Sequence, residues 1–212
     1  MLREGLLAKL SEAECRMEMY NSQRLSRQTD LGLAGLYQYE NWEKYAALVG
    51  RELEVLDRFV RPEDVGRPIV FVGSGPIPLS AVLMHLQKKV TVFCVDNNPE
   101  ACEASRVLIN RIGLGNQVHI IEGDGAEFDY SRFHQVFIAS LVSCKDRVLE
   151  QIRRTSADSL VAVRTAEGIR QLMYEAVDEE AMIAAGWSLL GRTWPKERIV
   201  INSTLFYRLA DH

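Results

Sequence analysis

The spacing of hydrophobic and polar positions changes near residue 68. Over roughly the first 60 residues apolar side chains recur every three or four positions, and all six prolines lie at or after Pro62. This spacing is typical of amphipathic helices, and Gly32 and Gly35 predict a break between two of them. The segment 61–68, with prolines at both ends of its core, is predicted to link this helical part to the rest of the chain.

After residue 68, short apolar runs alternate with helical patterns. The apolar runs predict five strands, at 69–72, 90–95, 118–121, 136–139 and 160–163. The patterns between and after them predict helices at 79–87, 98–112, 144–155, 168–176 and 179–185. Strands that are apolar almost throughout are typical of parallel strands covered on both faces. The sequence therefore predicts a doubly wound α/β sheet, Rossmann-like and of the class I methyltransferase type.

The C-terminal stretch has a different pattern. Two β patterns, at 187–194 and 199–209, flank the short segment Pro195-Lys-Glu197. A separation of this length predicts an antiparallel hairpin, which we expect at the edge of the sheet.

Composition and charge narrow the classes of partner. The chain has 212 residues, 47% of them hydrophobic, with a net charge of −4 and a pI near 5.7. Because the net charge is negative and no run of Lys or Arg occurs, the composition argues against nucleic acid and against an anionic membrane surface as partners. Because no apolar run approaches the roughly 18 residues that span a bilayer, and the N-terminus lacks a signal-peptide pattern, we expect a cytoplasmic protein.

Cysteine and histidine usage bears on redox and metal chemistry. The four cysteines form no C-x-x-C pair, and the four histidines lack the spacing of metal ligands. We therefore expect reduced thiols, no disulfide framework and no metal site.

The first predicted strand leads into an unusual glycine turn. Gly73-Ser74-Gly75 lets a ligand approach the backbone at the start of the next helix, but Pro76 and Pro78 remove two amide donors. A third glycine, as in the dinucleotide fingerprint, is missing. The turn therefore disfavours a bound pyrophosphate and suits a ligand that presents only a carboxylate.

Two carboxylates follow the next two predicted strands. Asp96 lies about 20 residues beyond the glycine turn, where it can accept both hydroxyls of a ribose. Asp124, beside the backbone amide of Ala126, is placed to take an adenine amino group. NAD and S-adenosylmethionine sites share the first feature, and the combination favours S-adenosylmethionine. Either aspartate alone also fits a turn or helix cap.

These turns give the residues that we expect to contact the cofactor. They are Gly73, Ser74, Gly75, Pro76, Asp96, Asn97, Asp124, Gly125, Ala126 and Ala139. The loop from Ala139 to Val142 lacks the Asn or Asp followed by two prolines that amino-group methyltransferases often carry there. The sequence therefore lacks the motif that is typical of enzymes transferring a methyl group to an amide or an exocyclic amine.

Three stretches resemble nicotianamine synthases. They are Phe71–Leu79 (FVGSGPIPL), Val136–Val142 (VFIASLV) and Val163–Gly168 (VRTAEG), within a similarity that covers roughly residues 36–178. The resemblance implies that the aminobutyrate chain of S-adenosylmethionine, rather than its methyl group, is transferred to an amine, and that methylthioadenosine leaves. We interpret the stiff proline turn as a device that exposes the γ-carbon of the cofactor instead of the methyl group.

The resemblance also implies two catalytic residues in the helical part. A tyrosine seven residues before a glutamate carries over onto Tyr45, which precedes Glu52 by that distance, and an acidic residue of the earlier helix carries over onto Glu18. Glu14, one turn away, is the alternative carboxylate. From the pattern alone, the favoured interpretation of Tyr45 is a core or interface tyrosine, and that of Glu18 is a solvated residue at the flank of its helix.

Three further residues are predicted to bind the substrate. Arg164, which ends the fifth strand, can hold a carboxylate with its guanidinium, although a structural ion pair is an equal alternative. Glu167 stands where plant members of the family have His, and Tyr174 is expected to form a wall of the pocket.

The expected function is transfer of an aminobutyrate group to the α-amine of an amino acid, with histidine favoured as acceptor, in the biosynthesis of an opine-type metallophore. The alternatives are a nicotianamine synthase that transfers repeatedly, an ordinary methyltransferase, and a non-enzymatic binding module. Residues 1–60 are expected to form a helical domain that caps the substrate, and residues 68–212 the domain that binds S-adenosylmethionine. A homodimer is an expectation from the family alone.

Overall fold

The structure is a computed structural model, and it describes residues 2–168, 171, 174–195 and 202–210. Its strands are β1 (Ile69–Val72), β2 (Val92–Asp96), β3 (Val118–Glu122), β4 (Gln135–Ile138), β5 (Leu160–Thr165), β6 (Trp187–Thr193) and β7 (Ser203–Leu209). Its α-helices are α1 (Leu2–Ser26), α2 (Leu33–Leu36), α3 (Trp42–Leu56), α4 (Leu79–Lys88), α5 (Pro99–Arg111), α6 (Lys145–Thr155) and α7 (Glu179–Ala184).

The described strands form one sheet in the order β3-β2-β1-β4-β5-β7-β6. The first five strands in sequence pair in parallel, and β7 runs antiparallel between β5 and β6. This mixed α/β sheet confirms the predicted Rossmann-like fold. The predicted hairpin is also confirmed as antiparallel, with β6 as the edge strand, while its turn at 196–201 lies outside the described residues.

Alternate residues of the parallel strands pack against opposite helical layers. Ile69 and Phe71 point into a core shared with helices α3, α4 and α5, while Val70 and Val72 pack with α6. The sheet is therefore covered on both faces, which explains why its strands are apolar throughout. At roughly 25 cal/mol per Å² of buried apolar surface, these two cores supply the main favourable term in folding.

The predicted boundaries hold within two residues for most elements. Strand β2 begins at Val92 rather than Val90, because the chain leaves α4 through Lys89 in a left-handed conformation, with φ 58°. Strand β5 extends to Thr165 because Ser203 of β7 pairs with it. Gly32 precedes the short helix α2 and Gly35 lies inside it, so two breaks, at 27–32 and 37–41, separate three helices where the sequence predicts one break between two.

The predicted helix at 168–176 is confirmed only in part. Gly168 and Gln171 have 3-10 helical geometry, residues 174–176 are not helical, and residues 169, 170, 172 and 173 lie outside the described residues. The backbone amide of Val177 donates to the Thr165 hydroxyl at 2.9 Å, so the chain returns to the end of β5 instead of continuing a helix.

Candidate active site

The strand order reverses around β1, which has β2 on one side and β4 on the other. In such sheets a crevice opens at the carboxyl ends of the strands, and ligands bind there. Two chambers occupy this position, a first chamber of about 390 Å³ and a second chamber of about 500 Å³. Glu18, Gly73 and Leu141 line both, so the chambers meet at these residues.

The glycine turn after β1 forms part of both walls. Gly73 has φ +79°, and a Cβ at this position would come within 2.4 Å of Val142 Cγ2. Gly75 has φ +66°, and a Cβ there would lie 2.9 Å from Glu18 Oε2. Both glycines therefore serve left-handed backbone and close approach, as the turn pattern predicts.

The two prolines have an additional use that sequence reasoning missed. The buried Ser22 hydroxyl on α1 donates to the Pro76 carbonyl at 2.8 Å. Pro78 precedes α4 as its cap residue, and the backbone amide of Val82 donates to the Pro78 carbonyl at 3.0 Å. The stiff turn is thus an attachment point for the N-terminal helix.

Asp96 is held at the first chamber by backbone donors. Its Oδ2 accepts from the Gly75 amide at 2.8 Å, and its Oδ1 accepts from the Asn98 amide at 3.0 Å. The carboxylate is half-buried, and it keeps lone pairs for ligand hydroxyls, since each oxygen can accept more than one hydrogen bond.

Asp124 lies on the opposite side of the first chamber. This exposed residue accepts from the Ala126 amide at 2.8 Å, so the amide predicted to face an adenine ring is already bonded to the neighbouring carboxylate. The Tyr130 hydroxyl donates to the Gly125 carbonyl at 2.7 Å and fixes this turn from below.

The structure brings eight of the ten predicted cofactor residues to the first chamber. They are Gly73, Gly75, Pro76, Asp96, Asn97, Asp124, Gly125 and Ala126. The other two, Ser74 and Ala139, line the second chamber instead. Ser74 lies between two glycines with positive φ, 79° at Gly73 and 66° at Gly75, and at this sharp backbone turn its buried side chain enters the second chamber.

Glu18 and Tyr45 meet where the chambers join. The Tyr45 hydroxyl donates to Glu18 Oε1 at 3.4 Å, across 27 residues of sequence. Burial, and then the charge of nearby Glu14, raise the pKa of the Glu18 carboxyl to about 7. Burial also raises the pKa of Tyr45, so its hydroxyl keeps its proton and serves as a donor.

A second carboxylate–phenol pair lies beside the first. The Tyr174 hydroxyl donates to Glu14 Oε1 at 2.7 Å, and both residues line the second chamber. Tyr174 is 8% exposed, and burial raises its pKa, so it too remains a donor. Tyr174 therefore lies in the chamber wall, as predicted, and orients Glu14.

Arg164 forms a buried ion pair with Glu52 of α3. Its Nε and Nη2 donate to the two oxygens of Glu52, both at 2.9 Å, and Nη2 also donates to Ser80. The Thr204 hydroxyl donates to Glu52 Oε1 at 2.6 Å. Because Nε and Nη2 are already bonded, a substrate carboxylate can reach this guanidinium only through Nη1. The contacts of Arg164 therefore agree mainly with the alternative prediction, a structural ion pair.

Glu52 is a residue that sequence reasoning named only as a spacing marker. It is fully buried on the apolar face of α3, two turns from Tyr45. The signal that could have found it is a lone acidic residue on a stripe of buried Val49, Leu53 and Leu56, because a buried carboxylate requires a partner.

Glu167 does not reach the chambers. Among the described residues it lines neither cavity, and its Oε1 lies 4.0 Å from Arg192 Nη1. The predicted contact between Glu167 and the substrate therefore has no support in the geometry.

The loop after β4 separates the chambers, and it is held from two sides. Lys145 Nζ donates to the Ser140 carbonyl at 2.9 Å, and Asn202 Nδ2 donates to the Ser140 hydroxyl at 2.6 Å. Burial lowers the pKa of Lys145 to about 8. Asn202, which immediately precedes β7, also lines the second chamber, and the sequence analysis did not single it out.

In the described ranges, no group of three or more His, Cys, Asp or Glu residues could hold a metal ion. In the same part of the chain, no helix is both long and apolar enough to cross a membrane. The four cysteines are free thiols.

Known proteins with similar sequences share one description. The chain is 29% identical over 220 residues to "Probable nicotianamine synthase 3" of Hordeum vulgare, which covers 96% of this chain and 63% of that protein. It is 29% identical over 226 residues to "Nicotianamine synthase 2" of Oryza sativa subsp. japonica, covering 99% and 67%. The chain thus spans 63% of the length of the first relative and 67% of the length of the second.

Solved structures extend the comparison to the fold. MtNAS in complex with MTA and tNA has a TM-score of 0.84 and 25% identity, covering 99% of this chain and 76% of that chain. The glycopeptide N-methyltransferase MtfA, complexed with S-adenosylmethionine, has a TM-score of 0.60 at 11% identity, covering 76% and 94%. The second likeness shows a shared fold alone.

The family itself follows from a match along nearly the whole chain. A family model described as "Nicotianamine synthase protein" matches residues 1–211. This chain belongs to the nicotianamine synthase family.

Proposed function

We propose that this protein transfers the 3-amino-3-carboxypropyl (aminobutyrate) group of S-adenosylmethionine to the α-amine of an amino acid, releasing methylthioadenosine. The observation that carries the proposal is the position of Glu18, a carboxyl with a pKa raised to about 7 at the junction of two chambers. A group that ionises near neutral pH is suited to act as a general base.

The first chamber has hydrogen-bond acceptors that suit S-adenosylmethionine. Asp96, held by the Gly75 and Asn98 amides, would accept the ribose hydroxyls, and Asp124 would accept from the adenine amino group. The absence of a Cβ at Gly73 lets Val142 of the loop after β4 pack closely against the glycine turn beside this chamber. The relatives and the solved complexes named above support the same ligand.

S-adenosylmethionine would supply a sulfonium whose γ-carbon is electrophilic, so a new N–C bond forms as the S–Cγ bond breaks and its electron pair stays on sulfur. The attacking amine must first lose a proton. Glu18 in its ionised form would take that proton and become a neutral carboxylic acid. Before the transfer, the Tyr45 hydroxyl, 3.4 Å away, would donate to the Glu18 carboxylate and favour its ionised form.

Histidine is the acceptor that we propose, as a step in the biosynthesis of an opine-type metallophore. The second chamber offers two carboxylates, Glu14 and Glu18, which can engage an amine and a second N–H group. An acceptor with an imidazole also supplies a later metal ligand, which suits a chelator precursor.

A nicotianamine synthase that uses S-adenosylmethionine repeatedly is the second candidate. The names of the relatives and the MtNAS complex with MTA and tNA favour it. An ordinary methyltransferase is supported only by the shared fold of solved methyltransferases.

One experiment separates the three. The protein is incubated with S-adenosylmethionine, with and without histidine, and all products are identified by mass spectrometry. Methylthioadenosine together with a histidine adduct supports the proposal. Nicotianamine formed at the same rate without histidine favours the second candidate, and S-adenosylhomocysteine with a methylated product favours methyl transfer.

We also propose that residues 1–60 cap the substrate while residues 68–212 bind S-adenosylmethionine. Contacts between the two parts support this division: Ser22 binds the Pro76 carbonyl, and Arg111 Nη2 donates to the Gln28 carbonyl just after α1. A cytoplasmic location and a possible homodimer stay predictions. The molar mass of the protein in solution, measured by light scattering, tests for the homodimer.

A further inference from the structure

Two buried polar atoms line the second chamber without a hydrogen-bond partner in the described part of the chain. They are the Asn202 Oδ1 and the Ser74 Oγ. Each residue is only 8% exposed. Leaving a buried polar atom unpaired carries a free-energy cost, so native structures retain such atoms chiefly where a ligand or water completes them.

Asn202 is oriented by contacts that do not involve its free oxygen. Its Nδ2 donates to the Ser140 hydroxyl at 2.6 Å, and the Ser140 carbonyl is in turn held by Lys145 Nζ at 2.9 Å. Ser203, the next residue, is paired with Thr165 of β5. The side-chain amide is therefore held through Nδ2 while β7 fixes the backbone beside it, which leaves Oδ1 as the amide atom available to a ligand.

The position of this oxygen restricts what it can bind. Glu18 lines both chambers, whereas Asn202 lines the second chamber alone, so an acceptor whose amine lies at Glu18 extends the rest of its structure toward Asn202. An amide oxygen accepts hydrogen bonds and does not donate them, which excludes a carboxylate as its partner. The fitting partner is an N–H group on the acceptor side chain.

We propose that Asn202 is a specificity-determining residue whose Oδ1 accepts a hydrogen bond from a side-chain N–H of the acceptor, such as an imidazole. This inference rests on the proposed function for the identity of the acceptor's reacting amine. It adds a residue next to strand β7 to the chamber that Glu14 and Glu18 of α1 also line, and this residue would distinguish histidine from an amino acid with an apolar side chain.

The test measures acceptor binding separately from turnover. L-Histidine and L-alanine are each titrated by calorimetry into the unaltered protein and into N202A, N202D and S140A. Methylthioadenosine is present in every titration. We expect N202A to weaken histidine binding roughly 5- to 30-fold, the range for losing one hydrogen bond to a buried group. N202D, which keeps an accepting oxygen, is expected to retain histidine binding, and S140A, which frees the amide, to weaken it less than N202A does.

A matched control comes from an amide far from the chambers. Asn116 is exposed in the turn between α5 and β3, and N116A should bind histidine like the unaltered protein. The thermal unfolding midpoint of each variant shows whether it is folded, and N202D provides a reading if N202A is not. The ratio of kcat/KM for histidine to that for alanine should fall in N202A by the same factor as the affinity.

The outcomes separate this inference from the proposed function. If N202A binds histidine as tightly as the unaltered protein, if N202D loses as much as N202A, or if histidine does not bind at all, the role of Asn202 Oδ1 is refuted. If histidine binding depends on Asn202 but no methylthioadenosine is produced from S-adenosylmethionine with any amino acid, the inference stands and the proposed function falls.

Discussion

The two walls of the site are held by different kinds of contact. On the sheet side, Asp96 and Asp124 are bound by backbone amides that lie within a few residues or on the adjacent turn. On the helical side, Glu18 and Glu14 are held by phenols 27 and 160 residues away. The sheet wall is thus preset by local geometry, whereas the helical wall exists only when distant segments assemble.

The difference assigns different tasks to the two walls. Backbone-held carboxylates remain accessible and suit the binding of hydroxyl and amino groups on a ligand. Glu18, paired with the protonated Tyr45 phenol, lies where burial disfavours its charged form, which raises the pKa of this carboxyl to about 7. We therefore expect changes in the helical wall to affect chemistry and changes in the sheet wall to affect affinity.

The sharpest test of this division is E18Q. The substitution removes the proton acceptor but keeps the shape of the side chain. We expect turnover to fall at least about 100-fold while the affinity for S-adenosylmethionine changes less than about 3-fold. Single-turnover kinetics and calorimetry measure the two quantities. Unchanged turnover would move the base to Glu14, which E14Q then examines.

The reciprocal test is D96A. Removing the carboxylate leaves the Gly75 and Asn98 amides and the ligand hydroxyls without their partner. We expect S-adenosylmethionine binding to weaken by about 1–3 kcal/mol, with a smaller effect on single-turnover chemistry at saturation. Calorimetry on a variant with native circular dichroism gives the answer. Equal affinity would remove Asp96 from the cofactor site.

The stability of the protein should depend on the ionisation of Glu18. Its folded pKa, about 7, lies above the ordinary value of 4.5, so its contribution to stability is fully present below about pH 4.5 and is lost as pH rises through 7. Between pH 5 and 8, the free energy of unfolding should therefore decline by about 1–3 kcal/mol more in the unaltered protein than in E18Q. Parallel urea titrations would contradict the shift if both proteins declined equally.

Y45F probes the contact within the helical wall. The Tyr45 hydroxyl lowers the pKa of Glu18 relative to burial alone, so its removal should raise that pKa further. The acidic limb of the kcat/KM profile is expected to move to higher pH, with turnover at pH 7 reduced roughly 10-fold. A profile that keeps its midpoint would show that the two side chains are not coupled.

S22A tests how the helical wall is attached to the sheet wall. It leaves the buried Pro76 carbonyl without its donor, at a cost of about 1 kcal/mol in the free energy of unfolding. Hydrogen exchange should quicken in α1 more than in β1. Q23A, an exposed change on the same helix, serves as the control, and equal exchange in both variants would argue against the attachment.

The sequence predicts the sheet wall better than the helical wall for a physical reason. Strand ends and glycine turns follow from periodicity and local backbone chemistry, which is why Asp96, Gly73 and Gly75 lie where they are expected. Partners such as Glu52 for Arg164, or Tyr174 for Glu14, depend on how α1 and α3 pack on the sheet, and no local pattern encodes that. Tyr45 and Glu18 were reached only through resemblance to a family.

The misplaced predictions have the same origin. Ser74 belongs to the predicted turn but faces the second chamber, because side-chain direction within a turn is decided by its φ and ψ values. Glu167 lies outside the chambers, near the edge strand, where its Oε1 is 4.0 Å from Arg192 Nη1. The sequence does not predict Asn202 as a site residue, because a single asparagine before a strand belongs to no recognisable motif.

The ion pair of Glu52 and Arg164 constrains how this sequence can drift. Removing one partner of a buried pair costs about 3–5 kcal/mol, since the other charge is left uncompensated, while replacing both with apolar residues is often neutral. A variant in which only one of the two residues is replaced would therefore lose much of the net stability of a domain, which is about 5–15 kcal/mol. We expect descendants of this chain to carry both residues or neither, so that a lineage keeping only one of them has acquired a compensating charge elsewhere in the same core.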